Sequence, residues 1–329
     1  MEDSSVLQQL LTQSGKYHPL YGGGLATHLP MELTALSKLG APDSLLERTF
    51  AGNISDLISI EEISSYEPVI SFEAHLGDSD SYCHYLRYFQ LQLAAHSIEH
   101  VLQSHLPTLI AGVAASAFHG LIRLAYAIEA HNRNEIAVAL AFWSAEYQPF
   151  VTVETESDES LAQILTRLSA LSDGYEFSPG IIVDRMSEIA ERLRVNKSLI
   201  YPLALDLPSL KSFALKLFYL QDDFTLLHTV TGCHAFSIIL PYIEDENTAL
   251  KQLWKAILVA YLSTGLPFKD AEVDEGNNRL EFDFIINQAI NSGDSHVIKL
   301  VYSCYQECQQ TPSILYWQVA HRAAFGELG

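Results

Sequence analysis

Positive charge is scarce in this chain: Lys and Arg total 19 against 40 Asp and Glu, a formal net charge of −21. Nucleic acid and anionic membrane surfaces both demand clustered basic residues, so neither is an expected partner. Cysteine is sparse as well. Cys83, Cys233, Cys304 and Cys308 are too few and too scattered for a disulfide framework. Cys304 and Cys308, four residues apart on an apparent helix, read as small buried hydrophobes. No run of about 18 residues is free of charged or strongly polar groups, so no membrane span is expected. The first 18 residues start acidic and lack the basic segment and unbroken apolar run of a secretory signal. A cytoplasmic protein is the default expectation.

What is present is apolar residue at helical spacing. Hydrophobic residues make up 48% of the chain, enough for a substantial core, and no linker, repeat or low-complexity segment interrupts it. The periodicity predicts helices over 4–14, 32–39, 45–50, 82–105, 109–130 and 135–147. Further helices are expected over 157–171, 186–193, 210–220, 278–291, 295–309 and 314–324, with two apolar ones between 224 and 268. The 157–171 segment carries a capping-box pattern. In 82–105, Tyr82, Leu86, Phe89, Leu93, His96 and His100 share one stripe, with Leu91, Ile98 and Leu102 opposite, which predicts an enclosed helix ended by Pro107. The β-branched runs at 69–72 and 150–153 do not alternate with helices as a parallel sheet requires. The expected fold is all-α, one multi-helical domain over 1–329 around a buried polar site.

Several polar residues stand where a structural helix would carry Leu or Ala. Gly22, Gly23 and Gly24 form a tract that belongs in a loop, wedged against neighbouring helices. It lacks the spacing of a dinucleotide fingerprint and the Lys-Ser/Thr of a P-loop, and it delivers His28 to the start of a helix. His96 and His100 match an H-x-x-E-H pattern, but two histidines closing a core stripe explain it as well. His119, Ile122, Arg123 and Tyr126 line one strip of a small-residue helix. His228 and His234 lie about 120° apart around a helix and so do not converge on one ion. His228 shares its face with Gly232, where another group can approach the backbone. Lys255, flanked by Leu253, Trp254, Ile257 and Leu258, is costly to bury as a cation, and burial favours its neutral amine. It is read as a base, a nucleophile or, as a carbamate, a metal ligand, with a surface lysine as the plain alternative. His296 opens a helix and needs no role beyond capping.

Five segments, GGGLATHLPMELTALSKLGAP, AFHGLIRLAYAIE, LLHTVTGCHAF, LWKAILVAYLSTGLP and HVIKL, occur in this order over most of the chain. Together they resemble the questin oxidase-like family. The resemblance implies a helical oxygenase that oxidises and opens rings of anthraquinone-like aromatic polyketides. Some members are described as needing NADPH, others as holding a non-haem metal through histidines and a lysine. Carried over by motif, His28, His119, His228, Lys255 and His296 are the implied metal residues; Lys255, with Arg123 and Tyr126 from the strip beside His119, are the candidate catalytic ones. Fungal members tend to carry a second histidine one turn after that of the second motif, where this chain has Arg123.

Two functions follow as expectations. The first is a non-haem Fe(II) oxygenase taking dioxygen and a polycyclic aromatic or quinone substrate. In it Arg123 fixes a phenolate, and Tyr21, Tyr126 and Trp254 contact the ring. NADPH is not expected, because no nucleotide-binding fingerprint is present. The second is a non-catalytic helical binder of an apolar ligand or partner, in which Arg123 marks the loss of the metal.

Overall fold

The computed structural model describes residues 5–60, 63–273 and 281–326. Among these are 15 α-helices: α1 (Ser5–Ser14), α2 (Leu29–Lys38), α3 (Asp43–Asn53), α4 (Tyr82–Ala95), α5 (Ile98–Leu109), α6 (His119–Glu129), α7 (Arg133–Ala145) and α8 (Leu161–Ser169). They continue with α9 (Ile182–Val195), α10 (Leu207–Gln221), α11 (Phe224–Ile239), α12 (Glu246–Leu262), α13 (Asp283–Ser292), α14 (Ser295–Gln310) and α15 (Ile314–Phe325). Strand is minor. β1 (Leu20–Tyr21) and β2 (Leu25–Ala26) form a hairpin, and β3 (Val153–Ser157) pairs in parallel with β4 (Leu199–Pro202). The fold is all-α.

Local chemistry sets most boundaries. Asp and Ser side chains accept backbone N–H groups at the starts of α10, α11, α12, α14 and α15, satisfying donors a helix start leaves free. The capping box at α8 forms as the pattern predicts, with Ser160 and Gln163 bonding reciprocally. The helix expected over 278–291 begins at Asp283; positions 278–280 lie outside the described residues.

Three expectations require correction. The segment 82–105 is two helices, because Ser97 turns extended and caps α5 through the His100 N–H. His96 and His100 are consequently exposed, as is Leu91, so α4 buries one stripe only. Pro107 lies inside α5 near its end, and does not break it. The segment 109–130 is likewise divided, by a turn whose residues Ser116, Ala117 and Phe118 all have positive φ (49°, 54° and 69°).

The glycine tract is the turn of the β1–β2 hairpin, with φ of +51°, +86° and +103°. A Cβ added at Gly23 or Gly24 would meet nothing within 4 Å. Glycine is needed there for left-handed backbone, not for close packing against helices.

Helices α2, α6, α7, α11 and α12 are largely buried. Phe224–Tyr242, α11 with the turn after it, is long and apolar enough to cross a membrane (mean hydropathy 1.3), yet 72% of that window is buried inside the protein. It is a core helix. Four helices close a ring: α2 packs on α6 and α14, and α11 packs on the same two. That ring positions the site.

Candidate functional site

Each helix of the ring presents one histidine near its N-terminal end. His28 is the N-cap of α2, His119 opens α6, His228 lies one turn into α11, and His296 is the second residue of α14. Potential ligand atoms of His28, His119 and His228 all lie within 4.8 Å of one another. The His296 ring is 4.5 Å from that of His28 and 5.7 Å from that of His228, centroid to centroid.

The outer nitrogens are held by oxygens. Nδ1 of His119 donates to the Ser116 carbonyl (2.6 Å) and Nδ1 of His228 to the Phe224 carbonyl (2.9 Å). Nδ1 of His28 is hydrogen-bonded to the Ser295 hydroxyl (2.9 Å). A carbonyl only accepts, so His119 and His228 carry their proton on Nδ1 and keep the Nε2 lone pair bare. The 2.7 Å contact between His28 Nε2 and His119 Nε2 then has His28 as donor. Nε2 of His228 and of His296 are buried without a partner. An imidazole anchored at one nitrogen and bare at the other, as His228 is, is the arrangement a metal ion uses; His28 reaches it by moving its proton to Nδ1, where the Ser295 hydroxyl can accept it.

Electrostatics keep these rings neutral. Burial drives the His228 and His28 imidazoles well below their ordinary value and brings His119 to about 3. Neighbouring charge, Lys299 included, acts in the same direction. Lys299, on α14 one turn after His296, is itself fully buried, and burial lowers it to about 7. Glu32, in the first turn of α2, is raised by burial to about 7. An amine and a carboxyl that both titrate near neutrality therefore lie close to the histidines.

The turn that delivers His119 stores strain. Left-handed backbone at three consecutive non-glycine residues costs on the order of 1–3 kcal/mol each, and persists only where packing imposes it. Phe118 is held by α11: a Cβ on Gly232 would come within 2.9 Å of its ring. Gly232→Ala is expected to push Phe118 out, lower stability by about 1–3 kcal/mol and weaken metal uptake. Denaturation and metal titration of one variant check both parts.

The imidazoles face a cleft of about 390 Å³, within the usual size of small-molecule sites, about 300–1,000 Å³. The β1–β2 hairpin supplies Tyr21, Leu25 and Ala26 to one wall, and the start of α9 supplies Ile182, Val183 and Arg185 to another. Leu25, Ile181 and Phe224, exposed by 47%, 40% and 53%, give the cleft an apolar rim.

Of the residues singled out in the sequence, His28, His119, His228 and His296 come together, and Tyr21 joins them in the cleft. The others do not. Lys255 donates to the Phe150 carbonyl (2.7 Å) and is not part of the cleft. Arg123 is paired with Glu135 (2.5 Å), both almost fully buried. Tyr126 donates to the Lys299 carbonyl (3.5 Å), and Trp254 bonds to the Ile200 carbonyl. These are structural placements behind or beside the ring. Lys255 stood out in the sequence because Leu253, Trp254, Ile257 and Leu258 surround it on α12, but burial alone does not place a lysine at a site. Lys299, Glu32, Ser295 and Arg185 were missed. Lys299 sits at i+3 from His296, a spacing that does put both on one face.

Burial holds the Lys255 amine below its ordinary value. Its unfolded form therefore binds more protons up to about pH 10.5, and the lysine's unfavourable contribution is relieved as pH rises. Lys255→Met is expected to leave metal content unchanged. Its stability relative to the wild type should fall as pH rises towards 10.5, as chemical denaturation would measure.

The questin oxidase-like family profile matches residues 25–304. The chain belongs to the questin oxidase-like family. Among curated proteins, no sequence matched it significantly. The matched span starts at the cleft wall, at Leu25, and ends on α14 beyond His296 and Lys299, so it contains all four ring histidines. Membership in the questin oxidase-like family carries the coarse reading of an oxidoreductase.

Proposed function

We propose that the protein is a metal-dependent oxygenase that oxidises a flat aromatic substrate of the quinone or anthraquinone kind. The observation that carries this reading is the convergence of three neutral imidazoles, His119 and His228 buried and His28 half-buried, with their Nδ1 atoms tied back to oxygens. His28, His119 and His228 would hold the ion, with His296 beside them. The orphaned Nε2 of His228 fits such a group. A bound divalent metal, of which Fe(II) suits all-nitrogen donors with open positions, would supply the redox chemistry toward dioxygen.

The chain's own residues do the rest. Tyr21, Leu25, Ala26 and the start of α9 form apolar walls that bind and orient a planar ring system and exclude water from it. Lys299 Nζ and the Glu32 carboxyl, each near neutrality, can hold or release a proton close to the imidazoles. The alternative of a binder that has lost its metal rested on Arg123 replacing a ligand. Arg123 is engaged with Glu135 away from the cleft, and the convergence of His28, His119 and His228 without it supports the metal-dependent reading.

The test is elemental analysis of the untagged protein before and after anaerobic loading with Fe(II), followed by oxygen uptake with hydroxyanthraquinones. About one iron per chain and substrate-dependent oxygen uptake are expected. A protein that retains no divalent metal under any loading condition sinks the proposal.

A further inference from the structure

Arg185 lies on α9, the wall of the cleft that carries none of the imidazoles. Its guanidinium has no ion-pair partner among the described residues, and its Nε is buried without a hydrogen bond. The carboxylates on either side of it are already engaged. Asp184 accepts the Ile181 N–H (2.8 Å) at the start of α9. Glu188 accepts the Tyr175 hydroxyl and the Ser178 N–H.

Arg185 is half-buried, and its enclosed Nε–H has no acceptor in the protein, so an anionic ligand in the cleft would satisfy a charged donor that the chain leaves free. Its surroundings also favour negative charge in the cleft. Helices α2 and α6 both begin at the cleft, with the positive ends of their dipoles towards it.

We propose that Arg185 determines specificity: the substrate carries an oxyanion, a carboxylate or an ionised phenol, that pairs with this guanidinium while the ring lies against the apolar walls. The inference deepens the function proposed above and rests on the same cleft. The sequence reading had assigned phenolate recognition to Arg123, which is engaged elsewhere.

Calorimetric titration of the protein as purified tests it, with anthraquinone-2-carboxylate against anthraquinone-2-carboxamide as probes. The wild type should bind the carboxylate about tenfold or more tightly than the amide, the scale of one hydrogen bond to a charged group. Arg185→Gln should abolish that preference without altering metal content, and Arg185→Lys should retain part of it. Comparing 2-hydroxyanthraquinone with 2-methoxyanthraquinone distinguishes a phenolate from a carboxylate. If neither quinone binds but 4-phenylbutanoate is preferred over its amide through Arg185, the polycyclic substrate fails and the anion anchor stands. If no carboxylate is preferred over its amide, or the preference survives in Arg185→Gln, the anchor is overturned.

Discussion

His228→Ala is expected to leave the protein unable to retain a stoichiometric metal ion. His228 contributes the one imidazole of the three whose Nε2 has no partner in the protein, so its removal takes away a free metal donor and, of the hydrogen-bond network, only the bond to the Phe224 carbonyl. Loss of an outer partner typically weakens a metal site by about 10–100-fold, and loss of a direct donor should exceed that. Ser295→Ala, which frees the His28 ring, provides the milder comparison. Competition titration with a chelator reads both. Equal affinity in wild type and His228→Ala would mean that the three histidines do not share an ion.

The same residues fix the acid behaviour. The folded imidazoles titrate below their ordinary value while the unfolded ones do not, so below about pH 6.5 the unfolded chain binds more protons. Stability should therefore fall as pH falls through that window. The slope should flatten in His119→Ala, whose wild-type ring is depressed to about 3.

The second large effect lies away from the cleft. Arg123 and Glu135 are a buried pair, 1% and 2% exposed, joining α6 to α7. Removing one partner leaves the other charged and unpaired, at a cost of about 3–5 kcal/mol. Arg123→Met alone should be destabilised on that scale by urea denaturation. The double variant Arg123→Met with Glu135→Leu should recover it. The pair is poorly satisfied: both Nη atoms of Arg123, Oε2 of Glu135 and the nearby Tyr82 hydroxyl lack partners. Burial even raises the Glu135 carboxyl despite the guanidinium beside it. Apolar replacement of both is therefore expected to be neutral or to gain about 1–4 kcal/mol. If Arg123 instead touched substrate, its single variant would lose ligand binding at unchanged stability.

Helices were legible because their signals are local. Apolar spacing and capping residues act within a few positions, and the Ser160–Gln163 box formed where the pattern put it. Breaks were less legible where they depended on packing. Residues 116–118 have no glycine to announce left-handed backbone; the turn exists because Phe118 fits over Gly232, more than a hundred positions away. The long helix over 82–105 failed similarly, with Ser97 choosing to cap a new helix and not to continue the old one.

The sequence by itself determined the helical class, a net charge of −21, and the identity of four histidines worth following. Only the tertiary structure decided that the four meet, that Lys299 and not Lys255 is the buried amine near them, and that Arg123 belongs to an ion pair while Arg185 enters the cleft. The physical reason is that a side chain's surroundings are set by which helix faces which. Spacing along the chain records only a residue's direction on its own helix, whereas the α2–α6–α11–α14 ring is built from contacts between segments far apart in sequence.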